Sequence, residues 1–214
     1  MTISTYSDLK AAIGNWTARA TNTAFALRIP EFIAMAETRI FYGQDQPFET
    51  APVRVRDMET AADITVTSGS GVLPERWLEF KRLYWSYNPN YRLEYVAPRQ
   101  FYDLSDNAVG LPWRYTVEGA NVLTLPGGSG TLKSTYWKRY AGLALDTDTN
   151  WLLQNAPGVY LQASLIEAWG YIRNLEAQQQ AVAAYRGVAD AMTNQSKRAR
   201  ASGETLRMRP NMWA

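Results

Sequence analysis

Ser7-Asp-Leu-Lys10 and Ser105-Asp-Asn107 have the spacing of two elements of serine acyl-transfer enzymes, in which a lysine helps to activate a serine nucleophile. The third element of that set, Lys-Thr-Gly, does not occur in the chain, and Ser7 leaves no room for the strands that precede such a nucleophile. The two serines therefore read as a helix cap and a turn. Asp146-x-Asp148-x-Asn150 copies the opening of a calcium loop, but the glycine and the bidentate glutamate that complete one would fall on Trp151 and Pro157. Capping is the better reading there too. Gly69-x-Gly71 and Gly128-x-Gly130 could begin phosphate-cradling loops. Pro74 stands where the first would need its third glycine, and the second leads to Lys133 without opening a helix. Both pairs read as turns.

The 214 residues include no histidine and no cysteine. That excludes disulfides, thiol nucleophiles, thiolate zinc sites and iron–sulfur clusters, and it removes the commonest general base and metal ligand. Neither an enzymatic activity nor a cofactor or metal is expected. Charge is nearly balanced, 22 basic against 20 acidic residues, but unevenly placed. Lys197, Arg198, Arg200, Arg207 and Arg209 face only Glu204 over residues 197–214, so the preceding body is mildly acidic and the end is basic. Such an end either binds a partner or is a solvated terminus. No apolar run reaches the roughly 18 residues of a membrane span, and the first ten residues lack a signal-peptide pattern.

The elements follow from periodicity and punctuation. Ser4 or Thr5 caps a first helix in which Leu9, Ile13 and Trp16 fall on one face. After the polar stretch 21–23, a second helix has Pro30 in its first turn, then Ile29, Ile33, Ala36 and Ile40 on one side, and Gly43 as a stop. Residues 50–140 are rich in β-branched and aromatic types broken by Gly and Pro. Five or six mostly antiparallel strands are expected there, at 64–66, 80–85, 91–95, 114–117, 122–125 and 132–137, with a short helix around 98–103. Helices then return: a short one from Trp151 after several capping candidates, one opened by Pro157, and a long one over 176–201 with Val182, Tyr185, Ala189 and Met192 on a stripe. The rest of that last helix is Ala and Gln with few charges, which suits either a second chain or the protein's own helices. Of the 8 Trp and 13 Tyr, more than half fall in the strand-bearing region 50–140. They serve a β-core and protein contacts, or stack nucleic acid.

The fold class is thus α+β: a helical bundle from both chain ends (1–49 and 141–201), an inserted antiparallel β-rich region (50–140), and an extended basic C-terminal tail (202–214).

The order of segments resembles the head-to-tail adaptor (connector) proteins of short-tailed bacteriophages. The resemblance is carried by Tyr6-Ser-Asp-Leu-Lys10, Ile29-Pro-Glu-Phe-Ile-Ala34 and Ala36-Glu-Thr-Arg-Ile40 at the front. Leu73-Pro74, Arg82-Leu-Tyr84, Leu93-Glu-Tyr-Val-Ala-Pro98 and Tyr136-Trp137 follow in the middle. Asn150-Trp-Leu-Leu153, Tyr160-Leu-Gln-Ala-Ser-Leu-Ile-Glu-Ala168, Arg198-Ala-Arg200, Ser202-Gly203 and Leu206-Arg-Met-Arg209 complete it. The stretch 77–91 and the end Asn211-Met-Trp-Ala214 are particular to this chain. The resemblance implies a structural virion protein, not an enzyme. About twelve copies would close a homo-oligomeric ring by one repeated heterologous contact. That ring would dock on the portal protein at the portal vertex, extend the DNA channel toward a tail nozzle or other tail component, and be made in the host cytoplasm during assembly. DNA would pass without specific binding, and no membrane would be involved.

The expected docking element is the basic tail: Lys197, Arg198 and Arg200 in the last helical turn, then Leu206 and Met208 alternating with Arg207 and Arg209, with Trp213 as an end anchor. An extended segment of that pattern presents apolar groups to one side and guanidinium groups to the other. The alternative is a nucleic-acid-binding module that uses the basic tail and the aromatic strands.

Overall fold

The computed structural model describes residues 2–88, 91–104 and 111–201. The chain is mixed α+β and divides into two compact units, Met1–Arg56 with Tyr140–Ala214, and Asp57–Arg139.

In the helical unit, α1 (Tyr6–Trp16) starts at Thr5, whose hydroxyl accepts the Asp8 amide while the Asp8 carboxylate accepts the Thr5 amide. This reciprocal cap satisfies donors that a helix start otherwise leaves open. Leu9 and Ile13 are buried as the spacing requires, but Trp16 is 60% exposed. The apolar stripe runs one turn past the core that covers it. A four-residue helix that the sequence did not announce, α2 (Thr23–Ala26), starts at the end of the polar stretch 21–23, with Asn22 capping it through the Phe25 amide. In α3 (Ile29–Tyr42), Pro30 sits in the first turn and Ile29, Phe32, Ile33, Ala36, Ile40 and Phe41 are buried. Gly43 ends it at φ +76°, with the Thr50 carbonyl 2.6 Å from where a Cβ would stand; only glycine fits there.

After the β-unit, Asn150 caps α5 (Trp151–Asn155) through the Leu153 amide. Pro157 then opens α6 (Pro157–Ile172), which is buried on nearly every side. It packs against α1, α3, α5 and α7 and is the centre of this unit. Arg173, in the left-handed region at φ 61°, turns the chain into α7 (Leu175–Ala201). Here α7 buries Ala181, Val182, Tyr185 and Ala189.

The β-unit holds seven strands: β1 (Glu59–Thr67), β2 (Ser70–Val72), β3 (Trp77–Trp85), β4 (Glu94–Tyr95), β5 (Arg114–Glu118), β6 (Asn121–Leu125) and β7 (Gly130–Lys138). They form one sheet in the order β3-β7-β1-β2-β6-β5-β4. Every pairing is antiparallel except β4 with β5. β1 and β7 pair along their whole length, from Glu59 opposite Trp137 to Val66 opposite Gly130. The sheet curls until its edges meet: Tyr84 bridges Arg92, and the Leu93 amide donates to the Leu83 carbonyl at 2.9 Å. The interior is filled by Ile64, Val66, Leu83, Trp85, Leu93, Val122 and Leu132. The expected strand at 91–95 shrinks to two residues plus that bridge, because it closes the sheet instead of extending it. The short helix falls at Pro98–Asp103, as read, and is α4.

Candidate interaction surfaces

The residues whose patterns suggested chemistry all have structural partners in the regions described. Lys10 pairs with Asp146 at 2.5 Å, and the Ser7 amide donates to the Asp146 carbonyl at 3.1 Å. Asp148 accepts the Leu145 and Ala144 amides at 2.8 and 2.9 Å, which holds its carboxyl below the usual range. With Asn150 capping α5, the acidic triple is a turn and a cap. No cluster of acidic residues able to hold a metal exists among the described residues. Ser105, Asp106 and Asn107 lie outside them. The glycine pairs are close-packing positions. A Cβ on Gly130 would meet the Trp85 ring at 3.0 Å, and one on Gly71 would meet the Thr65 carbonyl at 2.9 Å. Gly130 therefore leaves space for an indole, not a phosphate.

Polar side chains inside the helical unit tie loops to helices. Arg39 on α3, its side chain 2% exposed, donates to Glu167 of α6 through Nη2 at 2.6 Å and Nε at 3.1 Å, and to the Phe48 carbonyl at 3.2 Å. Arg186 of α7 clasps the Glu49 carbonyl with two donors. The Tyr160 hydroxyl donates to Glu37 and accepts from Asn150, and its pKa is raised, first by burial and then by the Glu37 charge. Burial pushes Tyr185 up to about 12. The links Arg39–Glu167, Tyr160–Glu37 and Arg186–Glu49 each span more than a hundred residues of sequence, and no local pattern announces them. They fix geometry and include no nucleophile paired with a base.

What remains for function is surface. Lys197 and Arg198 are exposed near the end of α7, and Arg200 belongs to its last turn. Leu206, Arg207, Met208, Arg209 and Trp213 lie outside the described residues. The charge-poor helix of the sequence, α7, packs one face on α6 and leaves Gln180, Ala183, Ala184, Gly187, Val188 and Ala191 exposed on the other. Large apolar groups are also exposed on the helical unit at Trp16, Leu27, Tyr42 and Leu145. On the β-unit, Trp85 and Tyr136 are core, whereas Tyr87, Tyr95 and Trp113 are exposed, with the Arg114 guanidinium stacked 3.6 Å from the Trp113 ring centroid. Exposed aromatics beside arginine are typical of protein contacts. Of these, the α7 face, the basic residues and the aromatic richness of the β-region had a signal in the sequence. The others are apolar residues whose exposure depends on where the core ends. No helix among the described residues is long and apolar enough to cross a membrane.

The sequence profile described as SU10 adaptor protein matches residues 4–211, nearly the whole chain. No curated protein matches it. The match agrees with the resemblance carried by the collinear segments, and it makes the protein a phage structural component of a class that meets portal and tail proteins, not a member of an enzyme class. The chain belongs to the SU10 adaptor protein family.

Proposed function

We propose that the protein is a ring-forming head-to-tail adaptor that docks on the portal and continues the DNA channel toward the tail. The observation that carries this reading is the family match across residues 4–211. The α7 surface supports it: a 27-residue helix with one face packed on α6 and an opposite face free of charge from Gln180 to Ala191 suits a contact repeated from copy to copy. The near-balanced charge suits a channel wall, since clustered phosphate contacts would retain DNA. In this reading about twelve copies form the ring. The helices of both chain ends make its body, and the inserted β-unit faces neighbours or tail components at the portal vertex of the virion.

The basic tail is the docking strap. Lys197, Arg198, Arg200, Arg207 and Arg209 pair with carboxylates of the portal, while Leu206, Met208 and Trp213 enter a groove. Electron microscopy of the protein mixed with the portal of its own phage tests the whole: a ring seated under the portal is expected, and a monomer that ignores the portal overturns it. A chain cut after Ser202, compared with Leu206→Asp in the full-length protein, tests the strap. Both should fold and fail to join portal rings; joining as well as wild type would remove the tail from the interface. Retention on DNA that fades with salt and ignores Leu206→Asp would assign the tail to nucleic acid instead.

A further inference from the structure

We infer that Arg56 is a docking cation of the same site as Lys197 and Arg198, which meets carboxylates of the portal, so that docking begins on the helical unit and continues into the tail. The inference rests on the reading of the basic end as the portal-docking element and adds to it a residue from a distant part of the chain. Arg56 stands 140 residues before Ser196, so no window of composition counts it with the basic end. A hydrogen bond brings it there: the Arg56 amide donates to the Ser196 hydroxyl of α7 at 2.8 Å. The segment that delivers it is fixed along its length. Arg186 of α7 holds the Glu49 carbonyl, the Val53 amide donates to the Ile40 carbonyl at 2.8 Å, and Val53 and Val55 are buried. Arg54 turns its guanidinium back onto the Phe41 and Val53 carbonyls. Arg56 is exposed, and among the described residues its guanidinium has no ion-pair or hydrogen-bond partner.

Lys197 follows Ser196 directly and Arg198 comes next; both are exposed and, among the described residues, equally without a side-chain partner. From Ala191 to Ala201, α7 carries no acidic residue. Asp57, exposed beside Arg56 in the chain, pairs with none of the three cations. Three unanswered positive charges against one carboxylate favour an acidic partner surface. A guanidinium rooted in tethered backbone also loses less freedom when it docks than one on a loose chain. Helix C-termini favour cations on their own account, which would explain Lys197 and Arg198. It does not explain a third cation delivered from another part of the chain. Duplex DNA is the poorer fit, because holding a phosphate backbone takes a longer track of cations than one helix end supplies.

The test measures binding of the full-length chain to the portal of its own phage over a range of salt, beside binding to a short duplex DNA. Arg56→Glu should weaken portal binding about ten-fold or more, with a loss that shrinks as salt rises, and Arg56→Lys should keep most of it. Arg19→Glu makes the same charge change at another exposed arginine of the helical unit and should leave portal binding as it is. All three variants should melt like wild type, and Arg56→Gln, with a smaller loss, replaces Arg56→Glu should that chain not fold. Portal binding that Arg56→Glu leaves unchanged, or that Arg19→Glu weakens equally, overturns the inference and leaves the portal reading standing. A wild-type chain that ignores the portal overturns both. DNA binding that Arg56→Glu abolishes while portal binding persists overturns the inference and assigns the cations to phosphate.

Discussion

Arg39 in the helical unit and Lys133 in the β-unit each meet one carboxylate, yet the two pairs do different work. Arg39 is enclosed, grips Glu167 with two donors and also reaches the Phe48 carbonyl, so a single side chain joins α3, α6 and the loop that follows α3. Lys133 meets Asp63 across two neighbouring strands with both side chains about half in solvent. Lys81 of β3 reaches across β7 to Glu59 of β1 at 2.6 Å, with both side chains less exposed than the Lys133 pair. The helical unit is thus pinned at a few enclosed polar points, while the β-unit is held by its packed interior and carries its ion pairs partly or largely in solvent. Enclosed pins are specific but fragile, because each leaves an uncompensated charge when cut. A packed interior fails only where volume is removed.

The largest effect expected is from Trp85→Ala. It empties the centre of the curled sheet and removes the indole hydrogen bond to the Pro112 carbonyl, costing about 4 kcal/mol. Urea unfolding measures the cost, and hydrogen exchange should place it in residues 57–139; an equal loss in the helices would break the comparison. Glu167→Ala comes next, at about 3 kcal/mol, because it strands the Arg39 guanidinium. Less than about 1 kcal/mol would mean that the pin is not structural.

Tyr185→Phe should go the other way and stabilise by about 1 kcal/mol, since that hydroxyl is buried with no hydrogen-bond partner among the described residues. It also sharpens the pH behaviour. A tyrosine whose pKa is raised from 10 to about 12 by burial favours the folded state below pH 10, and that contribution is lost as pH rises from 10 through 12. The variant should therefore lose part of the alkaline destabilisation, as read from melting temperatures across that range. The smallest effect expected is from Asp63→Ala, no more than about 0.5 kcal/mol and shrinking with salt, as befits an exposed cross-strand pair. A large, salt-insensitive loss would show that the surface pairs are more than decoration.

The sequence was most legible where structure is punctuated locally. Pro30 and Pro157 each open a helix and Thr5 and Asn150 each cap one, as their positions announce, whereas Asn22, which caps α2, reads only as part of a polar stretch. It was least legible where distant segments meet. β2 is three residues long and β4 two, too short to show alternation, and the closure of Tyr84 on Arg92 depends on the whole sheet having curled. Trp16 continues the spacing of Leu9 and Ile13 faithfully, but periodicity cannot say where the covering core stops. Arg39 and Glu167 sit 128 residues apart on helices whose charges would ordinarily face water. The surfaces divide in the same way: the basic residues of α7 and its charge-poor face were visible as composition, whereas the exposure of Trp16 and Leu27 depends on where the core ends.

The pairing of Glu59 with Trp137 has a consequence for how such a chain can change. The strand that enters the β-unit and the strand that leaves it lie side by side, so the entire insertion hangs from one doorway a strand spacing wide. Replacing it with a short turn asks the helices to close only a small gap, at little loop-closure cost. A lineage could thus exchange, enlarge or delete the module that meets its surroundings without redesigning the scaffold that carries it.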